Sequence, residues 1–135
     1  MPIEKFEHQG ALYGFIVRRE ASRPNEVQFL TPTDFPLQLG LIERPGGYAF
    51  RPHIHRDMRY DVNTTQEVLY VERGRMRVTF YTTEWEVIAR TEMAAGDILF
   101  SVMGGHGFDV MEDVRLIEVK QGPYPGDHYA KRFQD

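Results

Sequence analysis

The sequence predicts an all-β domain, and three observations carry that prediction. Twelve Gly and eight Pro recur as punctuation through 135 residues, which suits many turns better than a helical bundle. Between them lie short runs of β-branched and aromatic residues. No segment sustains a helical period beyond a turn. In chain order the expected strands are Leu12 to Val17, Leu37 to Glu43, Glu67 to Val71, Met76 to Tyr81, Glu84 to Ala89, Asp97 to Val102 and Val114 to Lys120. Leu12 to Val17 is apolar and aromatic, Met76 to Tyr81 alternates, and the tail Tyr129 to Phe133 reads as a helical turn or extended chain. Seven or so strands at this spacing fit a sandwich or a small barrel. One domain is expected over residues 1–135, with a barrel core of about 37–120, N-terminal strands before it and a C-terminal tail after it.

Composition removes several function classes. The net charge of −4 argues against a general nucleic-acid binder. The absence of Cys removes disulfide scaffolds, thiolate zinc sites, Fe–S clusters and Cys nucleophiles. A metal must then be held by His, Asp or Glu. The start, Met1-Pro2-Ile3-Glu4-Lys5, has no apolar signal region, and no apolar run approaches the roughly 20 residues that cross a membrane. A cytoplasmic protein without membrane or nucleic-acid partners is expected.

The chemistry concentrates in the histidines. His53 and His55 are separated by one residue, and in a strand such positions share a face. Two neutral imidazoles aimed at one volume suit a metal. A third ligand must come from another strand. Glu67 opens the next strong strand, and His106 sits in Gly104-Gly105-His106-Gly107, where glycines leave the imidazole unobstructed. Arg51, Arg56 and Arg59 bracket the pair and could clamp a carboxylate or phosphate. Tyr48, Phe50, Met58, Tyr60 and Phe108 could wall a small-molecule pocket. Arg73, Arg75 and Arg77 alternate and read as a charged outer face. Glu118 is a candidate acid/base group if it points inward. His8 and His128 read as uninvolved.

The stretch Gly47-x5-His53-x-His55 … Glu67-x6-Gly74 resembles the first sequence motif of the cupin superfamily, and the segment from Gly96-Asp97 to His106 is similar to its second. The resemblance implies a jelly-roll β-barrel (double-stranded β-helix) that holds one divalent transition metal, Fe, Mn, Ni, Zn or Cu, through His53, His55, Glu67 and His106. Three features depart from the family pattern. Eleven residues, Arg56 to Gln66, separate His55 from Glu67, which implies an inserted loop at the barrel mouth and leaves Asp57 and Asp61 as alternative carboxylate ligands. Val102 replaces the usual Pro. His106 comes one residue early with no Asn after it. A homodimer is implied by the same resemblance, and no DNA-binding helix pair is fused to the chain. The function expected is a metal-dependent enzyme on a small, anionic or sugar-like substrate, by dioxygenase, decarboxylase or isomerase chemistry. The alternatives are a metal-independent nucleotide-sugar isomerase or epimerase, using His53 or His55 beside Tyr48, Tyr60 or Tyr70, and a non-catalytic small-ligand module.

Overall fold

Gln9 and Gly10 both adopt left-handed backbone (φ 49° and 78°), the pairing that a two-residue hairpin turn demands. They join β1 (Ile3–His8) to β2 (Ala11–Val17) in antiparallel register, with His8 opposite Ala11. The hairpin opens the computed structural model of the chain, which describes residues 3–21 and 27–135. The remaining elements are β3 (Val27–Phe29), β4 (Gly40–Ile42), β5 (Glu67–Tyr81), β6 (Val87–Ala94), β7 (Ile98–Ser101), β8 (Gly105–Lys120) and one short helix, α1 (Asp127–Ala130). The described structure is therefore nearly all β, as the sequence predicts. Among the described residues no helix is long and apolar enough to cross a membrane.

The chain divides into two compact units. The first holds residues 3–21 and 65–135. Its six-stranded sheet runs β1-β2-β7-β5-β6, with β8 on the other side of β5. β5 organises this sheet. Its first four residues pair with β7 and its last seven with β6, while β8 follows it from Glu67 opposite Lys120 to Tyr81 opposite Gly105.

The β5–β8 ribbon is bent, and one glycine explains where. Three register shifts cluster between Val71 and Met76. At their centre Gly74 has φ 91°, and a Cβ there would lie 2.1 Å from the Asp113 carbonyl oxygen. Only glycine fits that bulge. The bend curls the sheet into a half-barrel. Inside the curl sit Phe6, Ile16, Leu69, Val71, Met76, Val78, Phe80, Met93 and Leu99, all buried. Phe6 stacks on Phe80 with ring centroids 4.4 Å apart.

The Gly96-Asp97 corner is a polar feature of the sheet. Asp97 accepts from the Ala94 and Arg19 backbone N–H groups at 2.9 and 3.0 Å and from Arg18 at 3.0 Å. Arg18 also donates to Glu4 at 2.8 Å and to Thr91 at 3.0 Å. One carboxylate thereby ties the β6–β7 turn to β2, with its charge matched by a half-buried guanidinium.

The second unit covers residues 27–64. β3 and β4 form a two-stranded ribbon, Val27 opposite Ile42. The Thr31 hydroxyl and the Gln38 amide, 2.9 Å apart, brace the loop between them.

Several boundaries differ from the sequence reading. The segments Glu67 to Val71 and Met76 to Tyr81 are one strand, because Gly74 makes a bulge instead of a reversal. The strand expected from Glu84 begins at Val87, since residues 82–86 close a tight loop. β8 extends back to Gly105 and takes His106 into a strand, because Gly104 (φ 76°) makes the turn before it. β1 is an additional strand. Residues 48–63 carry no strand, which corrects the expectation that His53 and His55 lie on one. Pro45 and Pro52 remove backbone donors on either side of Gly46-Gly47, and charged residues follow, so this stretch offers little to a ladder.

Candidate functional site

Glu67 stands where alternation would place an apolar residue. Glu67, Leu69 and Val71 are all buried on the face that carries the core. Across the strand pair, Lys120, Glu118 and Leu116 lie opposite those three residues and share their face. The register thus puts Glu118 on the core-bearing face, where its side chain stays exposed.

His106 lies opposite Phe80, at the other end of the ribbon. Glu67 and Phe80 are 13 positions apart, about 43 Å along a straight strand. Yet the Glu67 Oε1 and His106 Nε2 atoms are 2.7 Å apart. The bend at Gly74 is what brings the two ends together. Around them Ser101 Oγ is 3.2 Å from His106 Nδ1, and Lys120 Nζ is 3.7 Å from Glu67 and 3.6 Å from Glu118. The His106 ring also stacks on Phe108, with centroids 5.1 Å apart.

The charges follow from these contacts. Burial alone would raise the Glu67 pKa. The hydrogen bond from His106, the hydrogen bond with Glu118 and the charges of His106 and Lys120 outweigh burial and hold the Glu67 carboxyl down to about 2. Glu118 moves the other way, raised by burial and by the hydrogen bond and negative charge of Glu67. Glu67 is therefore the anion of the pair, and Glu118 holds its proton more tightly. An ionised carboxylate only accepts, so His106 Nε2–H donates to Glu67.

Glu67 and His106 open onto a cavity of about 660 Å³ in the first unit, within the range of small-ligand sites. Glu67, Ser101, His106 and Lys120 form its polar centre. Tyr81, Trp85, Phe108 and Tyr124 are aromatic walls, and residues 130–134 of the tail complete the lining.

The other sequence candidates lie in the second unit. The His53 and His55 rings sit edge to face, 5.1 Å apart. His53 Nδ1 lies 3.0 Å from the Arg51 carbonyl oxygen. Donation to that carbonyl leaves Nε2 with its lone pair outward, the tautomer that ligates metals. Arg51, Arg56, Arg59, Asp57 and Tyr48 are exposed, and Tyr48 packs edge-on to Phe50 at 5.0 Å. Tyr60 and Asp61 line a second cavity of about 450 Å³ with Phe35 and Gln38. Within neither unit do the described residues gather three or more His, Asp or Glu into a metal-holding group.

Sequence reasoning missed Ser101, Lys120, Trp85 and Arg132. No local motif marks them, because strand pairing and a tail bring them to the cavity. The lone Trp of the chain was the one available signal. No protein-family model, no curated protein and no solved structure matches the chain.

Proposed function

We propose that the chain is a cupin-like protein that binds one divalent transition metal and acts on a small anionic molecule in the cavity around Glu67 and His106. The observation that carries this reading is the 2.7 Å contact between Glu67 and His106. Two residues 39 positions apart, each singled out by motif spacing, converge on one cavity. The carboxylate and the imidazole satisfy each other through the proton between them, and both are donors that a cation would take in their deprotonated forms. The donor chemistry fits a borderline cation: an imidazole and a carboxylate here, and two imidazoles at His53 and His55, one of them already in the ligating tautomer. His53, His55, Glu67 and His106 would hold the metal, which supplies Lewis-acid or redox chemistry when bound. Ser101 would orient His106 through Nδ1, and Lys120 would balance the charge of Glu67 and Glu118.

Elemental analysis of the purified protein tests this. We expect about one equivalent of metal per chain, lost in His55→Ala and in Glu67→Gln, with the fold retained in both. Full metal occupancy in His55→Ala would remove His55 from the ligand set.

A second reading is favoured by the opposed shifts of Glu67 and Glu118. Two carboxyl groups pushed apart in pKa, one of them hydrogen-bonded to an imidazole, would suit the proton relay of a metal-independent isomerase or epimerase. Activity that survives exhaustive chelation, and is lost in Glu118→Gln, would select it.

A further inference from the structure

We infer that the first-unit cavity takes a small ring compound bearing one carboxylate or phosphate, with its ring against Trp85 and its anionic group on Arg132. The inference rests on the cavity proposed above as the ligand site and not on the metal.

Trp85 is held in place by the loop that precedes β6. Thr82 N–H donates to the Glu86 carbonyl at 2.8 Å, and Trp85 N–H donates to the Thr82 carbonyl at 3.0 Å. The Thr82 hydroxyl accepts from the Glu86 and Glu84 backbone N–H groups at 3.1 and 3.3 Å. Within this loop Trp85 adopts φ 66°, a left-handed conformation in which a bulky residue is a rare outlier. The edge of its six-membered ring then passes Gly105, where a Cβ would come within 3.2 Å of it. Tyr81 meets the ring edge-on at 5.6 Å. Trp85 belongs to no part of the core cluster. The chain holds a strained Trp at the cavity wall, and a preformed aromatic ledge is what a ring ligand needs.

The charge balance points to the other half of the ligand. Three cationic side chains line the cavity. Lys120 lies between Glu67 and Glu118, and Lys131 pairs with Asp127 at 3.1 Å. Arg132 donates to the Thr83 carbonyl at 2.6 Å and sits 5.4 Å above the Trp85 ring. Among the described residues it has no carboxylate partner. A guanidinium laid on an indole, with donors left over from a single carbonyl, is a ready donor site for a planar carboxylate or a phosphate. The His106–Glu67 end of the same cavity would then face the far side of the ring.

Trp85 is the only tryptophan, so its emission reads the ledge directly. Hydroxybenzoate, glucuronate and a hexose phosphate serve as probes, with phenol and glucose as neutral counterparts. We expect a saturable emission change with at least one anionic probe, and binding of its neutral counterpart at least about tenfold weaker. Arg132→Gln should weaken the anionic probe by about tenfold, the value of one charge-assisted hydrogen bond, with an unchanged thermal midpoint. Which probe binds tells a carboxylate source from a phosphate source. Equal binding of the neutral counterpart, an unaltered affinity in Arg132→Gln, or neither emission change nor heat of mixing with any of the three anions would overturn the inference. Metal content measured on the same samples separates the two proposals: anion binding by a metal-free chain sinks the metal centre alone.

Discussion

A single carboxylate, Glu67, decides the chemistry of the curled sheet. It faces the apolar side of β5, is kept ionised by His106 and Lys120, and helps to raise the pKa of Glu118. This has a consequence for stability. The folded pKa of Glu67, about 2, lies below its ordinary value of 4.5. The stabilisation it gives is complete above pH 4.5 and is lost as pH falls from there to about 2. Glu118 has the opposite sign: its raised value favours the protonated fold, so its contribution is present below the ordinary carboxyl value and is lost as pH rises through the folded one. In chelator-treated protein, urea midpoints followed from neutral pH downward should therefore show a steep acid loss below pH 4.5, and Glu67→Gln should flatten it. At neutral pH the same substitution should cost about 1–3 kcal/mol, because it removes a buried charge-assisted acceptor from a half-buried imidazole. Parallel acid limbs in the two proteins would mean that Glu67 is not the residue titrating.

At the scale of elements, the β5–β8 ribbon owes its bend to Gly74. Gly74→Ala should destabilise by about 3 kcal/mol or more, the sum of a left-handed backbone and a Cβ driven into Asp113. Gly46→Ala, where nothing lies within 4 Å and φ is not left-handed, should change stability by less than about 1 kcal/mol. Denaturant midpoints of the two variants make the comparison, and near-equal values would remove the corner from the account. The same ribbon shows what a sequence can reveal. Strand content was legible at Leu12 to Val17, Met76 to Tyr81 and Val114 to Lys120, because β-branched, aromatic and other apolar residues are concentrated there over several positions. The continuity of β5 was not, since a glycine with positive φ serves a turn and a bulge alike and only the partner strand distinguishes them. β1 was hidden because Ile3–His8 is largely polar, and its pairing depends on a two-residue turn that ends in a single glycine. In the candidate site, Glu67 and His106 were legible from spacing. Ser101, Lys120, Trp85 and Arg132 were not, because pairing across tens of residues and a returning tail put them beside the other two.

At the scale of the whole molecule, the proposed ligand set divides two and two between the compact units: Glu67 and His106 in one, His53 and His55 in the other. A divalent ion that binds the folded chain and not the unfolded one stabilises it by linkage. At a free metal concentration of a hundred times Kd, the folded state gains about 2.7 kcal/mol, which for a chain of this length raises the thermal midpoint by roughly 10 °C. The variants separate the possibilities. If all four residues ligate, His55→Ala and Glu67→Gln should each abolish the shift although they lie in different units, and metal should slow amide exchange at residues 51–55. If Glu67→Gln abolishes the shift while His55→Ala keeps it, the ion binds within the first unit alone. A chain that shows no metal-dependent shift at all, yet still binds a ring anion at Trp85, would leave His106, Glu67 and Glu118 as a proton relay, and the search for its reaction would begin with isomerisation.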